Sequence, residues 1–337
     1  AGAGAAARYA DQAYADVGAS VADRASTLAG ADIILGVQGP DPAGLTGAAS
    51  GAWIVAGLNP FGDRARIDAY ATAGYEALAM EFMPRITRAQ SMDALSSQAA
   101  LAGYYGALMG ATSIARMMPM TTFATGSIKP GTVLVMGVGV AGLSAIATSR
   151  RIGAKVEGYD VRPEVKEQVE SLGAKFIDTG VDARGTGGYA RELTDEEKAK
   201  IAAVVTKHIQ AADIIITTAA IPGRPSPKLI SKAQVDGMKA GSVIIDLAAE
   251  GGGNTEYTVP GETTTVGQVT IVAPLNVPSL LGEHASELYA KNQYNLIELF
   301  LKEQAINLDW NDEIIAKSCL THAGEIKNEA AKKAVEG

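Results

Sequence analysis

Residues 132–160 read TVLVMGVGVAGLSAIATSRRIGAKVEGYD, and this stretch decides the fold. Its first five residues are rich in Val, Leu and Met and predict a buried strand. Gly137, Gly139 and Gly142 then stand at the first, third and sixth positions of a turn that opens a helix of small residues. A strand, this glycine spacing and a helix, in that order, form the dinucleotide-binding fingerprint.

Each glycine of the turn has its own physical reason. The first permits the tight turn, the second lets backbone N–H groups approach a pyrophosphate, and the third lets the helix pack on the strand. The helix N-terminus adds partial positive charge. Asp160 ends a second apolar run 18 residues after Gly142, where a carboxylate accepts hydrogen bonds from a ribose 2′-hydroxyl and repels a 2′-phosphate. We therefore expect NAD(H) rather than NADP(H); a glycine-rich turn that only packs helix on strand is the alternative.

Other strands alternate with helical segments on both sides of the fingerprint. They lie in ADIILGVQGP, GAWIVAGLNP and YEALAMEF before it, and in AKFID, DIIITTA, SVIIDLA and VTIVAPL after it. This alternation predicts an α/β protein of two Rossmann-like parallel-sheet domains with a cleft between them. A helical pattern from about Pro278 to Ala305 comes late enough to return to the first domain. The expected domains are residues 1–125 with 290–337, and residues 126–289, with the turn-rich TTFATGSIKPG as a connection.

Composition excludes several classes of function. The 337 residues are 47% hydrophobic and carry a net charge of −8 without clustered Lys and Arg, so no nucleic-acid surface is expected. Cys319 is the single cysteine, which excludes an internal disulfide framework and suits a reducing compartment. His208, His284 and His322 are far apart and lack the spacing of metal ligands, so we expect no metal site.

No segment has the character of a signal peptide or a membrane span. The nearest candidate, from Ala99 to Ile114, is mostly Ala and Gly and carries Gly103, Gly106 and Gly110 at close spacing. Such spacing favours small-residue helix packing inside a soluble protein over a run of about 20 apolar residues. We expect no direct membrane insertion, which leaves docking on a membrane partner open.

Several loops follow strands and are candidates for ligand contact. The stretch 83–93, MPRITRAQSMD, is unusually polar, and the glycine-rich stretch 179–194 carries Tyr189 and suits a mobile flap, with an inert surface loop as the alternative. AIPGRPSPK holds Arg224 between prolines, and AAEGGGN holds Glu250 and Asn254 around a glycine triplet. GETTTVGQVTIV predicts a hairpin that could pair with another subunit.

Five motifs together resemble one known family. They are PRITRAQSMDALSSQ, GVGVAGLSAIATSRRIGAKVEGYDVR, GTGGYARE, ITTAAIPGRPSPKLI and DLAAEGGGN. They closely resemble the NAD(H)-binding first domain of proton-translocating nicotinamide nucleotide transhydrogenases, over nearly the whole chain. In that family a strand-helix-strand unit precedes AGAGAAAR, so we expect this sequence to be truncated or the unit to be supplied elsewhere.

The resemblance implies a component of a proton-translocating transhydrogenase of the Si-specific or Re/Si type. Hydride passes directly from NADH to NADP⁺ held on a partner domain, and a membrane-spanning domain couples this transfer to proton movement. The resemblance also implies a homodimer that lies peripherally at the cytoplasmic face of a bacterial inner membrane, or on the matrix side of an organelle.

The same resemblance implies which residues form the site. Arg85, Gln90 and Asp93 are the implied catalytic residues, on a polar loop beside the nicotinamide, with Gln90 placed to reach both nucleotides. Tyr189 lies on the flap that closes over NAD. The implied coenzyme-binding residues are Gly137, Gly139, Val140, Gly142, Asp160, Val161, Arg162, Tyr189, Ala219, Glu250 and Asn276.

Alanine dehydrogenases also resemble this chain, since the two families share a two-domain fold and the fingerprint. An amino-acid dehydrogenase moves protons as well as hydride, so it needs a general acid/base and a cation for the substrate carboxylate. By strand alignment that family's His falls near Asn59 and its Lys at Gln38, and neither residue can substitute. Glu250 and Asn276 still match its acidic residue and its Asn. An alanine dehydrogenase-like enzyme and a non-catalytic nucleotide-sensing domain are therefore the two alternatives.

Overall fold

The computed structural model of the protein describes residues 1–184 and 191–333. The chain forms two compact units, Ala1–Gln98 with Leu281–Gly337, and Ala99–Leu280. The first unit is thus built from both ends of the chain. Both junctions lie earlier in the chain than the expected ones at 125/126 and 289/290.

Strands and helices alternate along both units. The strands are β1 (Ile33–Gln38), β2 (Trp53–Gly57), β3 (Glu76–Ala79), β4 (Thr121–Phe123), β5 (Gly126–Ile128), β6 (Thr132–Met136), β7 (Lys155–Tyr159), β8 (Lys175–Phe176), β9 (Ile214–Thr217), β10 (Val243–Asp246), β11 (Thr263–Val266), β12 (Val269–Val272), β13 (Leu301–Lys302), β14 (Ala305–Ile306), β15 (Cys319–His322) and β16 (Glu325–Ile326). The helices are α1 (Asp11–Asp16), α2 (Arg24–Leu28), α3 (Arg64–Thr72), α4 (Ala94–Ser113), α5 (Val140–Arg151), α6 (Lys166–Ser171), α7 (Asp195–Ala211), α8 (Lys232–Asp236), α9 (Gly282–Ile297), α10 (Glu313–Ser318) and α11 (Glu329–Lys333).

The sheet of the first unit has the order β1-β2-β3-β15-β16. Strands β1, β2 and β3 are parallel, whereas β15 is antiparallel to β3 and pairs with β16 in a hairpin. Trp53 and Val55 enter one apolar core, and Ile54 and Ala56 enter the core on the other face. A strand buried on both faces must be apolar throughout, which is why WIVAG shows no alternation.

The sheet of the second unit has the order β11-β12-β10-β9-β6-β7-β8. From β8 to β12 all pairs are parallel, and β11 adds an antiparallel edge strand. With β6 as the first strand, this is the doubly wound order 3-2-1-4-5-6, whose ligand crevice lies where the order reverses, between β6 and β9. The predicted α/β fold class is therefore confirmed, and GETTTVGQVTIV is indeed a hairpin.

Helix α4 explains where the second unit begins. An added Cβ at Gly103 would clash with the carbonyl of Ala141, and one at Gly106 or Gly110 would lie 2.8 Å from side-chain atoms of Leu247 or Ile214. The absent side chains let this helix lie directly on α5 and on the second sheet. Small-residue packing, predicted for this stretch, is confirmed. Within residues 1–184 and 191–333, no helix is long and apolar enough to cross a membrane.

Two stretches differ from the sequence-based expectation. The helix predicted from about Pro278 to Ala305 is α9, which ends at Ile297, and the hairpin β13–β14 follows it. Glu303 and Gln304 form the hairpin turn with positive φ values of 51° and 64°, a conformation for which glycine would have been the sequence signal. TTFATGSIKPG, predicted as a connection, contains the hairpin β4–β5.

Candidate functional site

The fingerprint turn of the second unit leaves one glycine open and encloses the other two. Gly137 has a φ of +90° and donates its N–H to the carbonyl of Tyr159 at 2.9 Å. An added Cβ on Gly142 would collide with the carbonyl of Gly137, whereas one on Gly139 would meet nothing within 4 Å. The turn is therefore tight on its inner side and unobstructed at Gly139, where a pyrophosphate needs close backbone approach.

Helix α5 begins at this turn with its N-terminus uncovered. Gly139 is its N-cap residue, and in the described part of the chain no side chain caps its first turn. Val140, the first helical residue, is 43% exposed. The first N–H groups of a helix lack intrahelical partners and carry partial positive charge, so this end of α5 is suited to an anion.

Asp160 follows β7 at the same edge of the sheet, and its carboxylate is almost fully enclosed. Its Oδ2 accepts the N–H of Val138 at 2.7 Å, and the Arg162 guanidinium binds Oδ1 and Oδ2 at 2.9 Å each. Val161 lies between them and packs against the core beneath β6 and β9. The acidic residue predicted for the ribose is thus next to the fingerprint turn, with an arginine bound to it.

Loops after β9 and β10 are locked together by Asn254, whose side chain is completely buried. Its Oδ1 accepts the N–H of Ala219 at 3.0 Å, and its Nδ2 donates to the carbonyls of Ala219 and Pro227 at 2.8 Å each. From the same strand edge, Thr218 donates its hydroxyl to the carbonyl of Gly137 at 2.7 Å. Ala219, a predicted coenzyme contact, is therefore fixed beside the fingerprint turn.

Asp246, at the end of β10, holds the second of these loops from below. Its buried carboxylate accepts hydrogen bonds from the N–H of Asn254 at 2.6 Å and from the hydroxyls of Thr217 at 3.0 Å and Thr258 at 2.5 Å. Lys228 adds a second fastening, because its ammonium donates to the carbonyls of residues 252, 253 and 255 at 2.7, 2.9 and 3.0 Å. A buried carboxylate needs such donors, since each replaces lost hydration.

Glu250 and Asn276 also meet in the second unit. Asn276 adopts a positive φ of 49° and donates its N–H to Oε1 of Glu250 at 2.9 Å. Ser279 donates its hydroxyl to the Asn276 amide oxygen at 2.8 Å. Both residues, which the sequence suggested as coenzyme contacts, are exposed and contact each other.

In the first unit, the predicted catalytic loop is held by helices α9 and α10. Asn292 and Asn295 donate side-chain N–H groups to the carbonyl of Ser91 at 2.8 and 2.9 Å. Arg88 binds the carboxylate of Asp312 through two hydrogen bonds of 2.8 and 2.5 Å. The hydrogen bonds from Arg88 lower the pKa of the Asp312 carboxyl below its ordinary value. The loop is therefore a fixed platform.

The three predicted catalytic residues differ in their surroundings. Arg85 and Gln90 are exposed, and Gln90 lies in the 3-10 turn Thr87–Met92. Asp93 precedes α4 and accepts the backbone N–H and the hydroxyl of Ser96 at 2.9 and 2.6 Å. This is the geometry of a helix N-cap, which gives Asp93 a structural task that the sequence motif did not suggest. Their catalytic roles stay predictions.

The remaining candidates have ordinary surroundings or lie outside the description. Tyr189 falls outside the described residues, and Arg224 is exposed in its loop. His208 and His322 contact Glu157 and Glu76 at 2.7 Å, and within residues 1–184 and 191–333 no cluster of ligating side chains could hold a metal. Burial raises the pKa of the Cys319 thiol to about 12.

Asn254 stood out in the sequence only for its glycine-rich surroundings, and Asp246 was missed altogether. An acidic residue at the end of an otherwise apolar strand, VIID, was the available signal, because such a residue has to be satisfied by the loop that follows. Arg88 and Asp312 carried no local signal, since they are 224 residues apart.

Taken together, a doubly wound sheet, an uncapped helix N-terminus behind an open glycine, and an acidic residue on the next strand define a dinucleotide-binding α/β protein. Residues 1–102 match the family model of the alanine dehydrogenase/PNT N-terminal domain, and residues 106–329 match that of the alanine dehydrogenase/PNT C-terminal domain. The chain belongs to this family.

Individual relatives place it nearer to transhydrogenases. It is 44% identical to an NAD(P) transhydrogenase subunit alpha polypeptide of Rhodospirillum rubrum, over 98% of this chain and 89% of that protein. The crystal structure of a transhydrogenase from Sinorhizobium meliloti superposes with a TM-score of 0.87 at 47% identity, covering 97% of this chain and 89% of that one. An L-alanine dehydrogenase structure matches with a TM-score of 0.80 at 22% identity, over 99% and 89% of the two chains, which shows the shared fold alone.

Proposed function

We propose that this chain is the NAD(H)-binding component of a proton-translocating transhydrogenase. The observation that carries the proposal is the open fingerprint turn, where an added Cβ at Gly139 meets nothing within 4 Å while Gly142 fits closely against Gly137. The uncapped first turn of α5 suits the pyrophosphate, and Asp160 suits the adenosine ribose. The 44% identity to a transhydrogenase subunit supports the assignment.

Bound NADH would supply a hydride to NADP⁺ held on a partner domain. Such a transfer moves no proton to or from a substrate heteroatom, so the main demand on the protein is to position the reacting rings, at roughly 3 to 3.5 Å. We assign this task to Arg85, Gln90 and Asp93. An amide such as Gln90 orients a ring by hydrogen bonding without titrating, and its loop is held in place through Ser91 and Arg88. Tyr189 is proposed to cover the coenzyme.

The alanine dehydrogenase alternative is disfavoured by the ends of β1 and β2. Gln38 ends β1 and pairs in register with Gly57 of β2, two residues before Asn59. Neither side chain titrates in the range that general acid/base catalysis requires. The nearby carboxylate of Glu81 is engaged with the backbone N–H groups of Leu58 and Asn59 at 3.0 and 2.7 Å. These positions offer neither the proton relay nor the cation that an amino acid substrate needs.

We also propose that the chain is a homodimer, with the hairpin β4–β5 in the interface. Met120, Phe123 and Ile128 are 70%, 50% and 40% exposed, and within the described residues this ribbon pairs with no third strand. A two-stranded ribbon with exposed apolar side chains and open edges is marginal in water and is stabilised when it is covered. A second copy of the chain would supply that cover.

The other partners follow from the family. We propose that the chain works with an NADP(H)-binding domain and a membrane-spanning domain, and that it lies peripherally at the cytoplasmic face of a bacterial inner membrane or on the matrix side of an organelle. The identity to a named transhydrogenase subunit supports these assignments.

One experiment separates the three candidate functions. The chain is mixed with an NADP-binding partner domain, and the reduction of an NAD analogue by NADPH is followed by absorbance. Turnover supports the transhydrogenase. Reductive amination of pyruvate by the chain alone would favour the alanine dehydrogenase, and NADH binding without either reaction would favour the nucleotide sensor.

A further inference from the structure

Asp160 and Arg162 carry opposite signals about the coenzyme. A carboxylate at the end of the second strand favours NAD, whereas an arginine at this place accommodates the 2′-phosphate of NADP. The two residues are separated only by Val161. Their relationship in the folded chain therefore decides which signal is expressed.

The structure holds the two side chains together in a bidentate pair. Arg162 Nε donates to Oδ1 of Asp160 and Arg162 Nη2 donates to Oδ2, each at 2.9 Å, and the backbone N–H of Arg162 reaches Oδ1 at the same distance. Together with the N–H of Val138 at 2.7 Å, four donors occupy the carboxylate. The side chains of Arg162 and Asp160 are 18% and 6% exposed, so this pair is poorly screened by solvent.

We propose that Arg162 is a latent binding site for a 2′-phosphate, which Asp160 keeps closed. This inference rests on the proposed function and concerns the same coenzyme site. Asp160 then rejects NADP(H) twice, because it repels the phosphate and because it occupies the guanidinium that would bind it. A phosphate that captured Arg162 would leave a nearly buried carboxylate without its cation and next to a second anion, which is costly.

The site has the chemistry to accept a phosphate once Asp160 is neutralised. A guanidinium binds phosphate oxygens in the same two-pronged geometry in which it binds a carboxylate. Arg162 already lies at the oxygens that a ribose 2′-hydroxyl would contact in the fingerprint arrangement. Removing the negative charge alone should therefore convert Arg162 from a partner of Asp160 into a ligand for phosphate.

The test measures binding of NADH, NADPH and adenosine 2′,5′-bisphosphate to the full chain by calorimetry or by competition. Asp160→Asn keeps an oxygen acceptor for the N–H of Val138 and removes the charge. We expect it to bind NADPH and the bisphosphate at least about tenfold more tightly than wild type, because a charge-assisted phosphate contact is gained. Asp160→Asn/Arg162→Met should lose that gain.

The chain supplies a matched control for the second substitution. Arg184 also binds an aspartate two residues before it, with 2.5 Å between Arg184 Nη2 and Asp182 Oδ2, but on the exposed surface. Asp160→Asn/Arg184→Met should keep the tighter NADPH binding. If Asp160→Asn gains nothing, or if removal of Arg162 leaves the gain intact, the latent site does not exist and Asp160 acts by repulsion alone.

Two further measurements keep the inference separate from protein folding and from the proposed function. If Asp160→Asn does not fold by circular dichroism, Asp160→Ser replaces it. Arg162→Met in the wild-type background should weaken NADPH at least about tenfold more than NADH, and equal losses would overturn the inference. Wild-type NADH binding reports on the proposed function alone: without it that function fails, whereas the dependence on Arg162 tests only the latent site.

Discussion

The carboxylate of Asp246 accepts the backbone N–H of Asn254 at 2.6 Å, and both residues are completely buried. Through this bond the end of β10 sets the position of Asn254, whose side chain holds Ala219 after β9. Two loops that leave neighbouring strands thus move as one block. The proposed coenzyme contact at Ala219 depends on a residue eight positions beyond the end of a different strand.

Replacing Asn254 by Ala should loosen that block. Three hydrogen bonds from the side chain are lost and buried backbone groups of Ala219 are left unpaired, which we expect to lower the free energy of unfolding by about 2 to 4 kcal/mol. Urea unfolding measures this, and NADH titration should show weaker binding. Exposed Asn311→Ala is the control; a change as small as that of the control would contradict the assignment.

Alanine at Gly142 and at Gly139 should separate packing from coenzyme binding. At Gly142 the added Cβ collides with the carbonyl of Gly137, so we expect about 1 to 3 kcal/mol of destabilisation. At Gly139 the Cβ has open space, so stability should stay within about 0.5 kcal/mol of wild type. Gly139→Ala should nevertheless weaken NADH, because the methyl group stands where the pyrophosphate approaches. Unchanged NADH affinity in Gly139→Ala would place the coenzyme elsewhere.

Shortening Gln90 should affect the reaction more than binding. Gln90→Asn withdraws the amide by one methylene while the loop stays held through the carbonyl of Ser91. We expect hydride transfer in the reconstituted complex to slow by at least about tenfold and the NADH dissociation constant to change by less than about twofold. Stopped-flow and equilibrium titration report the two quantities. Ser91→Ala, which keeps the holding carbonyl, is the control, and equal losses in rate and affinity would make Gln90 a binding residue only.

The Arg88–Asp312 pair should make stability depend on pH. Because Arg88 lowers the pKa of Asp312 in the folded chain, the pair's contribution is present above the unfolded pKa of about 3.9 and is lost as pH falls through the folded value. Asp312→Asn keeps an N-cap for α10 and removes the charge. We expect its thermal midpoint to lie about 1 to 3 °C below wild type at pH 7. The two midpoints should converge in acid, and a constant gap would exclude the ion pair as its cause.

Dimer formation should depend on the exposed hairpin. Phe123→Ser removes an aromatic side chain that is 50% exposed, and we expect the dimer dissociation constant, measured by analytical ultracentrifugation, to rise at least about tenfold. Leu288→Ser, at a side chain of α9 that is 40% exposed, is the control. A Phe123→Ser protein that associates as wild type does would move the interface away from the hairpin.

The glycine turn, the strands around it and the doubly wound class were predictable from sequence because their causes are local. A φ of +90° at Gly137 and the close fit at Gly142 require the absence of a side chain, and a strand buried on both faces requires a continuous apolar run. The hairpin turn at Glu303 and Gln304 escaped prediction because its residue types do not announce a positive φ.

What the tertiary structure decided are pairings between residues that local pattern cannot connect. Arg88 meets Asp312 across 224 positions, and Asn254 meets Ala219 across 35, only because packing and the parallel sheet bring those segments together. The sequence by itself determined that Asp160 stands at the coenzyme edge. Whether Arg162 opposes it or is bound by it depended on side-chain geometry, since two charges separated by one residue can either extend apart into solvent or neutralise each other in a nearly buried pair.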